Sequence, residues 1–169
     1  MANVFKPKRS NTSSSVPTTG QLVDGELAVN SADKIIYLRN GGNIIGVANY
    51  STIDRTVGVT VDGGGSVLTT GTKGYIEVPY SGAIVEWKII ADVSGSVVFD
   101  VWKLNAEIPT NSNSITASAK PTLTSSQRAT STTLTGWTTG VSANDVFAFE
   151  IESATTVTKA TLTLVIRQN

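Results

Sequence analysis

The chain predicts an all-β protein, with a small N-terminal β-hairpin or strand module followed by an antiparallel, jelly-roll-like β-sandwich. Three observations carry this. Short runs alternate apolar with polar residues, the period of half-buried strands, and no window sustains the 3.6-residue apolar period of a helix. About a quarter of the residues are Thr or Ser, β-branched and aromatic residues dominate the apolar set, and Met occurs only at position 1, a balance that favours strands. Gly and Asn gather between the runs, where turns need them.

The first elements lie in residues 1–50. Leu27 and Val29 alternate with Glu26, Ala28 and Asn30, and Ile36 and Leu38 alternate with Tyr37 and Arg39. Ser31-Ala32-Asp33-Lys34 and Asn40-Gly41-Gly42-Asn43 supply turns. So few large apolar side chains cannot offset the ordering entropy of this stretch, so the module is expected to be ordered by neighbours. An N-terminal strand that pads the edge of a sandwich is the alternative. A boundary falls between Ala48 and Val57, where Asn49 to Arg55 interrupts the alternation.

The larger unit, residues 56–169, begins with a strand through Val57, Val59 and Val61, closed by the loop Asp62-Gly63-Gly64-Gly65. Strands are expected at residues 75–80, 83–92 and 96–104, with Ser81-Gly82 and Ser94-Gly95 as hairpin-type connections. A Ser/Thr/Asn-rich loop is expected from 105 to 130, then strands at 132–137, 146–152 and 157–167. Regular short strands without helices argue for a sandwich. Alternation groups Val85, Trp87 and Ile89 on one face, with Ile84 and Ile90 opposite. It also groups Val97 with Phe99 and Val101, Phe147 with Phe149 and Ile151, and Ala160 with Leu162, Leu164 and Ile166. These sets are the expected core.

Composition removes whole classes of chemistry. Without His or Cys there is no Ser-His-Asp arrangement, no imidazole base, no thiolate nucleophile, no His- or Cys-ligated zinc and no disulfide. No cofactor is expected. Glu150 and Glu152 sit two apart on one strand, about 6 to 7 Å, a separation near that of inverting glycosidases. A solvated strand face is the preferred reading of the pair, because nothing apolar in the sequence raises either pKa. Asp62-Gly63-Gly64-Gly65 lacks the carboxylates of a calcium loop and the Lys of a phosphate loop. Net charge is zero, and no apolar run is long enough for a membrane span or signal peptide, so a soluble, unsecreted protein with no membrane insertion is expected.

Lys6, Lys8 and Arg9 form a basic cluster without interleaved aromatics, which argues against nucleic acid. They are candidates for an anchor that meets an acidic patch on a partner, and a solvated terminus is the alternative. Trp102, Tyr80 and Trp137 are candidates for a subunit interface or a receptor contact, since aromatic faces anchor proteins and stack on sugars. Trp102 falls on the strand face of Asp100, opposite Phe99 and Val101, so it is expected to be exposed or covered by another subunit. Trp137 and Tyr80 read as ordinary packing at the sandwich ends.

The stretch KPKRSNTSSSVPTTGQLVDGELAVNSADKIIYLRNGGNIIGVA, residues 6–48, resembles the N-terminal module of bacteriophage tail-fibre and tropism-determinant proteins. It keeps the order of a basic polar lead, a "GELAVN" strand, a "KIIYLRN" strand and an "IIGVA" strand. A second resemblance, to the C-terminal sandwich of phage tail and head-appendage proteins, rests on KGYIEVPYSGAIVEWKIIADVSGSVVFDVWK, Ile115 to Leu123, LTGWTT and ANDVFAFEIESATTVTKATLTLVI. Together they imply a non-enzymatic virion protein, assembled in the bacterial host cytoplasm as a homotrimer and anchored by its N-terminus to tail, baseplate or capsid proteins. Both a tail fibre that meets a host surface glycan and a head fibre or capsid decoration protein satisfy them. A carbohydrate-binding module is the alternative from another class, and a hydrolase using Glu150 and Glu152 is a third.

Overall fold

The computed structural model describes residues 6–49 and 53–168. The chain divides into two compact units, one ending at Ile53 and the other spanning Asp54–Gln168. The predicted boundary stretch lies partly outside the described residues, at 50–52. The all-β expectation holds, with a four-stranded sheet in the first unit and one large curled sheet in the second.

In the first unit the order is β1 (Lys8–Ser10), β2 (Leu27–Asn30), β3 (Ile35–Asn40) and β4 (Asn43–Asn49), with β1 parallel to β2 and the rest antiparallel. Lys34 at φ 56° and Gly41 at φ 59° make the two turns. Among the described residues of this unit only Leu22, Ala28 and Tyr37 are buried apolar residues, with Ile35 and Ile44 packed against them. The sequence reading of this sheet is reversed in one respect. The lead, residues 11–24, is tied back to the sheet and supplies Leu22 to the Ala28 and Tyr37 face. It leaves the face of Leu27, Val29, Ile36 and Leu38 open.

Asn30 and Asp33 do the tying. Asn30 is 1% exposed; its Nδ2 donates to the carbonyls of Thr12 (2.9 Å) and Ser15 (3.0 Å) and to Asp33 Oδ2 (2.8 Å). Its Oδ1 accepts from the amides of Ala32 and Asp33. Asp33 in turn accepts from the Ser13 hydroxyl and the Ser14 amide.

The second unit contains β5 (Asp54–Asp62), β6 (Gly71–Val78), β7 (Gly82–Asn105), β8 (Thr122–Ser131), β9 (Gly140–Val141), β10 (Asp145–Thr155) and β11 (Lys159–Gln168). The 24-residue β7 belongs to both layers of a sandwich. Its first half pairs with β11 at residues 82–91 and with β8 at 128–131; its second half pairs with β10 at 96–105 and with β8 at 122–123. With β5 beside β11 and β6 beside β10, each layer has four strand segments: β5-β11-β7-β8 and β6-β10-β7-β8. Strands one, eight, three and six of the eight segments form one layer, and two, seven, four and five the other. This is jelly-roll order.

Three expectations change. Ser94-Gly95 is not a hairpin but the bend where β7 passes between layers; a Cβ on Gly95 would run into the Thr155 carbonyl, the Thr156 hydroxyl and Val157. Ser81-Gly82 joins β6 to β7, which are not neighbours, because β10 lies between them. The strand expected at 132–137 is an irregular connection, and the expected loop at 105–130 contains β8. Leu123 is the only large apolar residue in β8, so hydrophobic alternation could not reveal it.

The core between the layers matches the predicted face sets in nearly every strand. Ile89, Val97, Phe99, Val101, Phe147, Ile151, Leu162, Leu164 and Ile166 are all fully buried. Ile84 and Val85 are exchanged relative to expectation. The pairing of β7 with β11 slips there, since Glu86 faces Val165 while Ile84 faces Ile166. A bulge inserts one residue and inverts the phase beyond it, so Ile84 is 2% exposed and Val85 lies outside the core.

Candidate functional site

The outer face of β7 and β10 holds the densest polar cluster. Alternation places Asp100 and Trp102 opposite the core set, and both are covered within their own chain, at 4% and 7% exposure. The cover is residues 114–121: Ser114 bridges Trp102, the Ile115 amide donates to the Val101 carbonyl (2.9 Å), and the Phe99 amide donates to the Pro121 carbonyl (2.9 Å). The expectation that Trp102 stays exposed unless a second subunit covers it is therefore corrected. A polar segment with one large apolar residue, Ile115, gave no sign in the sequence that it would fold over the ring.

Asp100 accepts from the Val101 amide (2.7 Å), Trp102 Nε1 (3.1 Å), the Ser114 hydroxyl (2.8 Å) and the Thr116 hydroxyl (2.6 Å), and Lys120 Nζ stands 3.3 Å away. Burial opposes its charge most strongly. The hydrogen bonds from Thr116, Ser114 and Trp102, with the Lys120 charge, outweigh burial and hold the carboxyl below its ordinary pKa. Lys120 also pairs with Glu152.

Glu150 lies directly across from Asp100 in the ladder. Burial raises its pKa, and the charges of Asp100 and Glu152 add to the effect. The sequence-based premise that nothing raises either carboxyl is thus wrong for Glu150. The ladder slips between Ile151 and Ser153, and Lys120 pairs with Glu152 rather than with Glu150. Among the described residues no buried side-chain nitrogen or oxygen lacks a partner, so this cluster is closed on itself. Among the described residues no group of His, Cys, Asp and Glu has the arrangement of a metal site.

The other aromatic candidates also pack inward. Trp137 is 9% exposed and its Nε1 donates to the Ala119 carbonyl (2.8 Å), so Trp102 and Trp137 hold the same covering segment. Tyr80 is half-buried against the core, with the Arg55 guanidinium 5.2 Å from its ring centre. Burial raises its hydroxyl pKa and Arg55 opposes that shift. None of the three presents an open aromatic face; the exposed aromatic of this unit is Tyr75, at 53%, on the edge strand β6.

The first unit offers a surface the sequence reading did not single out. Cross-strand pairing puts Leu27 beside Leu38, Val29 beside Ile36 and Leu38 beside Ile45, so these five side chains share one face of β2 to β4. Ile36 is 37%, Ile45 40% and Val47 51% exposed. Among the described residues no charged side chain interrupts the face, and Arg9, opposite Val29, stands at its β1 border. Two-sided alternation in β2 and β3 was the available signal, since Ala28 and Tyr37 are apolar as well as Leu27 and Leu38. Of the predicted anchor residues, Lys6 and Arg9 are exposed, and Lys8 pairs with Glu26 (3.2 Å) and donates to the Gln21 carbonyl.

No family model and no curated protein matches this chain. A chain in a solved structure of infectious bursal disease virus, Gx strain, is 14% identical, covering 77% of this chain and 40% of that one, with a TM-score of 0.16. A similarity of that size carries no argument about fold or function.

Proposed function

We propose that this is a non-enzymatic bacteriophage virion protein, a trimeric appendage whose N-terminal module joins it to the particle and whose sandwich is displayed outward. The observation that supports it best is the open apolar face of Leu27, Val29, Ile36, Leu38 and Ile45 on a module whose core, among the described residues, is three buried side chains. Such a module gains most of its stability from what covers that face. A face without charge meets its own copy without repulsion, so further copies of this chain are the occupants, and threefold closure leaves no face open. The sandwich supports the same reading. Its polar clusters are satisfied internally, and the jelly roll recurs in viral capsid and lectin domains, although a fold alone decides no function.

Native mass spectrometry of the full chain at micromolar concentration tests the assembly, with a three-chain mass expected for the wild type and monomer for Leu38→Asp. A wild-type monomer would sink the trimer. Mass spectrometry of purified phage particles tests the location, and absence of the protein from them would sink the virion assignment.

A further inference from the structure

The sequence contains one Asn-Gly step, Asn40-Gly41, in the turn between β3 and β4. Both residues are exposed, and the Asn40 side-chain amide has no hydrogen-bond partner among the described residues. Gly41 has no side chain to crowd its nitrogen, and nothing lies within 4 Å of where a Cβ would stand. Alternation along β3 puts Asn40 on the face of Ile36 and Leu38, and its cross-strand partner Asn43 shares that face with Ile45. The open apolar face therefore ends on a pair of neutral amides. Two hydrogen bonds fix the turn: the Gly41 amide donates to Asp24 Oδ1 (2.5 Å), and Arg39 Nε donates to the Gly41 carbonyl (2.9 Å).

We propose that Asn40 is a site of deamidation, that Asp24 slows the reaction, and that the product loads charge onto the apolar face. The Gly41 backbone nitrogen, once it has lost its proton, attacks Asn40 Cγ. The Cγ–Nδ2 bond breaks, Nδ2 leaves as ammonia with a proton equivalent to the one the nitrogen gave up, and a cyclic imide remains. Water then opens the imide at either carbonyl, leaving aspartate or isoaspartate in the chain, so one water is consumed and one ammonia released. Asp24 opposes the first step. An amide bonded to a carboxylate gives up its proton less readily, because the anion left behind would face a second negative charge. Either product carries a carboxylate that is ionised at neutral pH. Covering the face with another copy would then bury a charge, which is costly without a partner. That consequence rests on the trimer reading above; the modification rests on the turn alone.

The full chain is incubated at mildly alkaline pH, and peptide mapping by mass spectrometry follows conversion of each asparagine to its acid. Asn40 should convert faster than any other asparagine. Asp24→Ala should accelerate it roughly fivefold, the effect of one hydrogen bond. Unfolding the wild type in urea removes the same restraint without a substitution and should also accelerate it, which decides the matter if Asp24→Ala perturbs the module. Conversion at Asn40 no faster than elsewhere overturns the site. Equal rates in wild type, Asp24→Ala and urea overturn the role of Asp24. The effect on assembly is read separately, by native mass spectrometry of full-length Asn40→Asp at micromolar concentration, where the three-chain mass should give way to monomer. A wild-type trimer with an equally stable Asn40→Asp trimer overturns the effect on assembly. A wild-type monomer overturns the trimer reading itself and leaves the conversion at Asn40 standing.

Discussion

Replacing Trp102 with alanine removes a ring that is 7% exposed and packed beneath residues 114–121 of its own chain. Truncating a buried aromatic costs about 3 to 5 kcal/mol. The lost Nε1 bond to Asp100 adds little, because that carboxylate keeps the Val101 amide, both hydroxyls and Lys120. Against a typical domain stability of about 5 to 15 kcal/mol, the sandwich loses about a fifth or more, and its Tm falls by roughly 10 to 20 °C. Trp102→Phe keeps most of the packing and should cost about 1 to 2 kcal/mol. All three tryptophans, Trp87, Trp102 and Trp137, lie in the second unit, so tryptophan fluorescence in a urea titration follows the sandwich alone. The midpoint of the variant should be lower at every protein concentration. An unchanged midpoint, combined with a smaller sedimenting mass, would refute the reasoning and return the ring to a subunit interface.

Asp92 tests acid sensitivity at the bend of β7, where it accepts from the Thr158 hydroxyl and from the amides of Thr158 (3.2 Å) and Lys159 (3.0 Å). The Thr158 bond leads in lowering its pKa to about 2, so its contribution is present above the ordinary carboxyl range and is lost as pH falls toward 2. The gap in urea midpoint between wild type and Asp92→Asn should close over that window; a gap of constant size would exclude the carboxylate as its source. Glu150 has the opposite sign: its raised pKa means the folded state holds the proton longer, so stability falls as pH rises through the carboxyl range. Glu150→Gln should raise the midpoint at pH 7 and lose that advantage near pH 4, and an unchanged midpoint at pH 7 would contradict the role of burial. Asn30→Ala leaves the Thr12 and Ser15 carbonyls without their donor, a loss of about 2 to 3 kcal/mol to the module. Proteolysis within residues 11–24 should accelerate while the fluorescence-monitored midpoint holds, and equal cleavage rates would show that the lead is held by other contacts.

Much of the sandwich was legible wherever one face meets the core and the other meets water. Phe147, Phe149 and Ile151, or Leu162, Leu164 and Ile166, announce both the strand and its inner face, because the side-chain period of a strand is two. The same rule failed wherever its premise failed. The bulge at Val85 inverted the phase, and β8 carries too few apolar residues to alternate. Ala28 and Tyr37 competed with Leu27 and Leu38 for the inside of the small sheet. Trp102 shows the limit for a site residue, since counting placed it on the correct face but could not show what lies over that face.

The sequence by itself determined the all-β class, the two-part division, most of the inward-facing residues and the absence of histidine and cysteine chemistry. These depend on composition and on spacing along the chain. The tertiary structure alone decided that β7 bends into both layers at Gly95, that residues 114–121 cover Trp102 and Asp100, and that Asn30 folds the lead onto one face of the small sheet and opens a cleft there. Each of these joins residues far apart in the chain through hydrogen bonds and packing between polar segments, and such contacts leave no periodic trace in the sequence that makes them.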